Sequence, residues 1–282
     1  MMNTNFPVTA HTDYVGQDST FVVIKGLSSD EFPLIPKTGD GIYTRIEGGA
    51  LGEAIKKVSF ASAFSETQPE ISGVLFFFEG KSLTITATDR YRLAEAKIEL
   101  LEEVSLPKSV IIPARGVNEA TRVVGKGTID IYLTDGQVVF KTEDTELLSR
   151  LIDGQYPDYK QIIPKSFVTE AEMGRNELVQ ALKAASLFAS ESNNIELDLT
   201  PQNKQVVIKS QSSQTGDSEI RLDAKITGQK NSVVFNYRYV IECLNNLSDE
   251  KVVLKIIDSS SPAQIVPVGR DNYFYIVMPI KI

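Results

Sequence analysis

Residues 109–124 read SVIIPARGVNEATRVV, and residues 232–247 read SVVFNYRYVIECLNNL. Laid over one another, the two stretches match at Arg115 and Arg238, Val117 and Val240, and Glu119 and Glu242. Each opens as a run of apolar and β-branched residues and then takes up the apolar spacing of a helix. A second pair keeps the same order. LGEAIKKVSFAS from Leu51 and LVQALKAASLFAS from Leu178 match at Leu51/Leu178, Ala54/Ala181, Ile55/Leu182 and Lys56/Lys183. The offsets are 127 and 123 residues. A unit of about 120 residues therefore occurs twice, over 45–165 and 166–282. The spacing predicts four helices, at 51–64, 114–124, 175–189 and 237–247. Strands follow each helix pair: TIDIYL and QVVFKT in the first copy, KVVLKIID and AQIVPV in the second. The copies close with LLSRLID and FYIVMPI. Alternation as in TIDIYL marks strands with one face buried. The expected class is α+β, as repeated domains, each with two helices packed on antiparallel sheets.

Residues 1–44 fit neither copy from its start. They hold one expected strand, TFVVIKGL, and an acidic, proline-containing link, SSDEFPLIPKTGD. This resembles the end of a unit, as in LLSRLIDGQYPDYKQIIP.

Composition narrows the function. The chain has 282 residues, 42 % apolar and 23 % charged, which is ordinary globular usage. Its longest apolar runs are strand-sized, and its start lacks a basic stretch followed by an apolar one, so a membrane span and a secretory signal are not expected. With Cys243 as the one cysteine, no internal disulfide can form, and the cytoplasm is the expected compartment. Cys243 keeps helical spacing with Val240 and Leu247 and reads as core. The one histidine, His11, lies in a polar stretch and reads as solvated. One His and one Cys cannot build the usual zinc sites, and no phosphate-binding glycine loop, nucleophile elbow or HExxH occurs. No metal, cofactor or catalytic residue is expected.

One stretch is out of character. In TATDRYRLAEA (86–96) an apolar strand runs into Asp89, Arg90, Tyr91 and Arg92 with no glycine or proline to make a turn. A catalytic cluster and a docking surface are both consistent with it. A salt bridge between Arg92 and Asp89 that pins a strand end is a third reading, compatible with docking.

ATDRYRLA (87–94), LIDGQYPDYKQIIP (151–164) and YIVMPIKI (275–282) resemble, in this order, the bacterial sliding clamps, the beta subunits of DNA polymerase III. The resemblance runs from about residue 21 to the end. It implies the DNA-clamp fold, with 1–44 as the remnant of a first domain and its linker, 45–165 as a middle-type domain and 166–282 as a C-terminal-type domain. Family members have three domains per chain, and two chains close head to tail around double-stranded DNA without reading its sequence. A chain with only the tail of the first domain is expected to be a monomer or a non-ring oligomer.

The family also implies a pocket where the replicative polymerase, the clamp loader and repair proteins insert a short peptide. Its matching residues here are Ile71, Thr88, Arg90, Tyr91, Arg92 and Leu93, then Pro157, Gln161 and Ile162 of the link. Asn236, Tyr239, Ser260, Pro262 and the tail residues Ile276, Val277, Met278, Pro279 and Ile280 complete it. Leu93, Ile162, Ile276 and Met278 would form an apolar floor, and Arg92 and Tyr91 would meet peptide carbonyls. Gln161 stands where a basic residue is common in the family, and Ser260 and Pro262 alter the far wall. The family's helices line the hole, which would turn Lys56, Lys57, Arg115, Arg122, Arg175, Lys183 and Arg238 toward DNA. The four helices sum to +3, leaving −11 for the rest of a chain of net charge −8. Two other readings stay open: a peptide-binding scaffold of clamp descent that does not encircle DNA, and an enzyme using Asp89, Tyr91 and Arg92.

Overall fold

The computed structural model describes residues 13–15, 22–24, 41–65, 67–125, 127–189, 192–214 and 216–281. Two units are separable, 1–38 and 39–282. In the first, β1 (Asp13–Val15) pairs antiparallel with β2 (Val22–Ile24), Tyr14 opposite Val23. β2 is the centre of the expected strand TFVVIKGL, and its partner β1 went unread in the sequence. His11 and the link SSDEFPLIPKTGD lie outside the described residues, as does most of 1–20.

The second unit begins with β3 (Thr44–Glu47), α1 (Gly48–Val58), the short α2 (Pro69–Ser72), β4 (Gly73–Thr88) and β5 (Arg92–Pro113). It continues with α3 (Ala114–Val123), β6 (Thr128–Leu133), β7 (Gln137–Lys141) and β8 (Glu146–Arg150). A link over 151–168 leads to β9 (Thr169–Gly174), α4 (Arg175–Ser186), β10 (Asn194–Thr200), β11 (Gln205–Ser212), β12 (Gly216–Asp223) and β13 (Lys225–Gly228). The chain closes with β14 (Asn231–Asn236), α5 (Tyr237–Asn245), β15 (Lys251–Ile256), β16 (Ala263–Pro267) and β17 (Tyr273–Val277). The fold is α+β, and every described strand pairing in it is antiparallel.

Local chemistry explains where the elements depart from expectation. α1 starts three residues before Leu51 because the Glu47 carboxylate accepts from Gly49 N (2.9 Å) and Ala50 N (2.5 Å). That cap offsets the poor helix propensity of Gly48 and Gly49. The helix stops at Val58 and tightens into a 3₁₀ turn over Ser59–Ala61. GVLFFF (73–78) and SLTITAT (82–88) lie on one bent strand, β4. Its pairing with β5 shifts register on either side of Gly80, whose φ of 56° only glycine adopts freely.

Three sheets order this unit: β3-β6-β7-β8, β12-β11-β10-β14, and a seven-stranded sheet β13-β9-β15-β16-β17-β5-β4. The last joins the two halves of the sequence, because β17 pairs with β5 in the register Val277–Arg92, Ile276–Leu93, Tyr275–Ala94. Alternation sorts the side chains of β5. Ala94 and Ala96 face the main core, which includes Leu51 and Ile55 of α1 and Val240 and Leu244 of α5. Leu93 faces the opposite side, in a separate apolar cluster with Leu75, Ile111, Tyr159 and Ile276.

At the β13–β14 turn, Gly228 has φ 92°, and a Cβ there would lie 1.9 Å from the Val168 carbonyl oxygen. Gly228→Ala is expected to destabilise the chain by about 2 kcal/mol. A urea melt with an unchanged midpoint would show that the turn relaxes around the methyl group.

Candidate functional site

The charged stretch is the tip of a hairpin. Thr88 pairs with Leu93, and Asp89, Arg90, Tyr91 and Arg92 make the reversal without glycine. Asp89 does the work of a turn residue: its Oδ1 accepts from Tyr91 N and Arg92 N, both at 3.0 Å. Arg90 adopts φ 78°, a conformation rare for a residue with a Cβ. The Thr88 hydroxyl, donating to Arg92 O at 2.7 Å, closes the loop. The stretch, without glycine or proline, is nevertheless a turn.

Arg92 turns inward to the helix side. Its Nε donates to Asp89 Oδ2 at 2.9 Å and its Nη2 to the Phe60 carbonyl at 3.1 Å, while Nη1 pairs with Glu242 of α5. The guanidinium lies 4.5 Å from the Tyr239 ring centroid and 5.6 Å from that of Phe60. Burial opposes its charge, but the hydrogen bond to Glu242 and the nearby Asp89 carboxylate hold its pKa above the ordinary guanidinium value. The salt bridge expected as one reading of Arg92 is therefore present, and it is part of a larger tie. With Asp89 and Arg92 engaged to each other and Tyr91 62 % exposed, these three do not converge as a catalytic cleft.

The outer side of the sheet is covered by the link, and the chain end leads away from the same sheet. After β17, Met278 N donates to Tyr91 O and Ile280 N to Val234 O, both at 2.8 Å, so the tail runs from the hairpin tip to β14. Pro262 immediately precedes β16, whose Ala263 pairs with Val277. Ser260 donates from its amide and hydroxyl to Asp258, and these amide and hydroxyl donors of Ser260 and Ser261 pull the Asp258 carboxyl down to about 2. Asn236 caps α5 by accepting from Arg238 N at 3.0 Å. On the link, Pro157, Gln161 and Ile162 are exposed, Ile162 by 44 %. Gln161 donates to Asp158 at 2.8 Å.

The proposed floor needs correction. Leu93 is 0 % and Ile276 1 % exposed, in a cluster that Tyr159 of the link joins and against which Ile152, Tyr156 and Ile163 of the link also pack. Ile71 is also buried, in α2. Accessible apolar groups of the link, tip and tail include Pro157, Ile162, Met278, Pro279, Ile280 and Tyr91.

The helix face also differs from expectation. Lys56, Arg115, Arg122, Lys183 and Arg238 are exposed. Lys57 is 6 % exposed and bonded to Glu53. Arg175 donates to Asp249 O (2.8 Å) and Leu244 O (3.0 Å), the latter within the last turn of α5. Lys57 is turned from a phosphate and Arg175 is engaged with backbone carbonyls, and without these two the helix charge falls from +3 to +1. The sequence reading missed the neutral residues of this face. Asn118, Thr121 and Asn246 line, with Lys56 and Phe60, a shallow cavity of about 440 Å³ where α1, α3 and α5 come together. Their only sequence signal is polar spacing on helices that are apolar on the other side.

Comparison with known proteins accords with these features. Residues 45–158 match the model of the DNA polymerase III beta subunit central domain, and 160–281 that of its C-terminal domain. The beta sliding clamp of Synechococcus elongatus is 31 % identical over 265 residues, covering 92 % of this chain and 71 % of that protein. That of Staphylococcus aureus is 30 % identical over 261 residues, covering 92 % and 69 %. The crystal structure of the DNA polymerase sliding clamp from Bacillus subtilis superposes with a TM-score of 0.91 at 27 % identity, covering 98 % of this chain and 74 % of that one. The hairpin tip, the crossing link and the chain end are thus set on a shared frame, and the chain belongs to the family of DNA polymerase III beta subunits, the bacterial sliding clamps.

Proposed function

We propose that the chain acts in the cytoplasm as a sliding clamp in DNA replication, without catalysis of its own. Its helix face meets duplex DNA irrespective of sequence and surrounds it where further chains complete a ring. Its outer face docks short peptides of the replicative polymerase, the clamp loader and repair proteins. The observation that carries this reading is the separation of two surfaces by one sheet. The link packs with Leu93 and Ile276 on one side, at the strand ends where Met278 N joins the tail to the hairpin tip, and the exposed basic residues of α1, α3, α4 and α5 lie on the helices that pack against the other side. Exposed lysines and arginines that meet phosphates without base contacts give retention that permits sliding. Adaptable Met278, joined through its amide to Tyr91 O, suits varied apolar peptide side chains.

Replacing Lys56 and Lys183 together by Glu tests the helix face. DNA association is expected to weaken, and its dependence on log salt to flatten by about 2, since each lost phosphate contact removes roughly 0.9 from the slope. Peptide binding should not change. An unaltered slope would mean these helices do not meet DNA. Lys57→Glu should instead lower stability, because it sets a like charge against Glu53 at a buried position.

The reduced helix charge of +1 favours a second reading, a scaffold of clamp descent that docks peptides without encircling DNA. Retention on nicked circular DNA with loss after linearisation separates the two: a clamp shows it and a scaffold does not.

A further inference from the structure

The link is fastened to the sheet near its start by Ile152 N, which donates to Ile111 O at 2.8 Å, and further on by two tyrosines, of which Tyr156 donates to Thr86 O at 3.4 Å and Tyr159 reaches deepest. Tyr159 is 7 % exposed and packs with Leu93 and Ile276. Its hydroxyl donates to Glu95 Oε2 at 2.6 Å and accepts from Thr86 Oγ1 at 3.0 Å. Glu95 lies on the same side of β5 as Leu93, two residues on, so the bond sits at the rim of the cluster that the ring covers. The backbone bonds within this part of the link are local: Tyr159 N to Pro157 O at 2.8 Å and Ile163 N to Lys160 O at 3.4 Å. Side chains therefore decide whether it stays down, and Tyr159 carries the one charge-assisted bond described from this segment to the sheet beneath it.

We propose that Tyr159 is a latch: its bond to Glu95 holds the link over Leu93 and Ile276, and its release opens a deep apolar subsite for a large side chain of a docking peptide. The inference rests on the peptide-docking reading above. A peptide that uses this subsite binds the latched chain with an affinity reduced by the fraction of unlatched molecules. The latch sets preference among partners. Peptides that touch only Ile162, Met278 and Tyr91 are indifferent to it, and those with a bulky apolar anchor are held back by it.

The test uses the full chain, the variants Tyr159→Phe and Glu95→Gln, and a labelled peptide, Gln-Leu-Ala-Leu-Phe. Loss of one hydrogen bond to a charged group should raise the unlatched fraction, and tighten binding, roughly tenfold in Tyr159→Phe. Glu95→Gln should shift it the same way by less. Amide hydrogen exchange at Tyr159 and Ile163 should quicken in both variants while β15 keeps its protection. Equal or weaker binding by Tyr159→Phe, where the native chain binds, overturns the latch and makes Tyr159 a fixed wall. If the native chain does not bind the peptide, the docking reading fails by itself and exchange alone decides. Unchanged rates at Tyr159 and Ile163 overturn the latch, and quickening confined to the link sustains it.

Discussion

A chain lacking Met278–Ile282 is expected to lose peptide binding by at least about a hundredfold, from a micromolar affinity worth roughly −8 kcal/mol to one beyond ordinary titration. The fold should survive. β17 ends at Val277, so its pairing with β5 and β16 remains intact. What goes is the segment pinned by Met278 N to Tyr91 and by Ile280 N to Val234, two backbone bonds of about 1 kcal/mol each. Met278, Pro279 and Ile280 are partly exposed, so their loss removes ligand surface more than core. A fluorescence titration beside a thermal melt checks both halves. Undiminished binding by the shortened chain would remove the tail from the site.

The largest expected effect on stability belongs to Arg92→Ala. The side chain is 10 % exposed, and its removal leaves Asp89, 15 % exposed, without its ion-pair partner. Glu242 is half exposed and can turn to water, so the loss there is small. The Phe60 carbonyl and the face of Tyr239 lose their partner as well. Breaking a buried pair from one side costs about 3 kcal/mol. Arg92→Lys should recover little, since an ammonium cannot bridge Asp89, Glu242 and the Phe60 carbonyl in one plane. Urea midpoints measure this. A change below about 0.5 kcal/mol would place Arg92 with ordinary surface charges.

Periodicity made much of the fold legible. TIDIYL is β6 residue for residue, and the four predicted helices occur with ends displaced by a few residues. Those displacements have local causes, such as the Glu47 cap, that an apolar pattern does not register. The hairpin tip was illegible because its turn residue is an aspartate whose carboxylate stands in for glycine. The site was legible by type and misread by exposure. Lys57 and Lys56 look equivalent in sequence, but a helix turns one toward the core. Leu93 reads as an apolar contact surface, but it is buried in a cluster with Tyr159 and Ile276, far along the chain. Arg92 and Glu242 are 150 residues apart, and no local pattern joins them.

The two-faced account is tested most directly by one hydrogen-exchange footprint, taken with the pentapeptide and separately with duplex DNA. The account predicts that the peptide protects the hairpin tip at 88–93, the link at 157–163 and the tail from 276, leaving the helices unchanged. DNA should protect amides near Lys56, Arg115, Lys183 and Arg238 and leave the outer face unchanged. Protection of the same segments by both ligands, or peptide protection on α1 and α3, would contradict it.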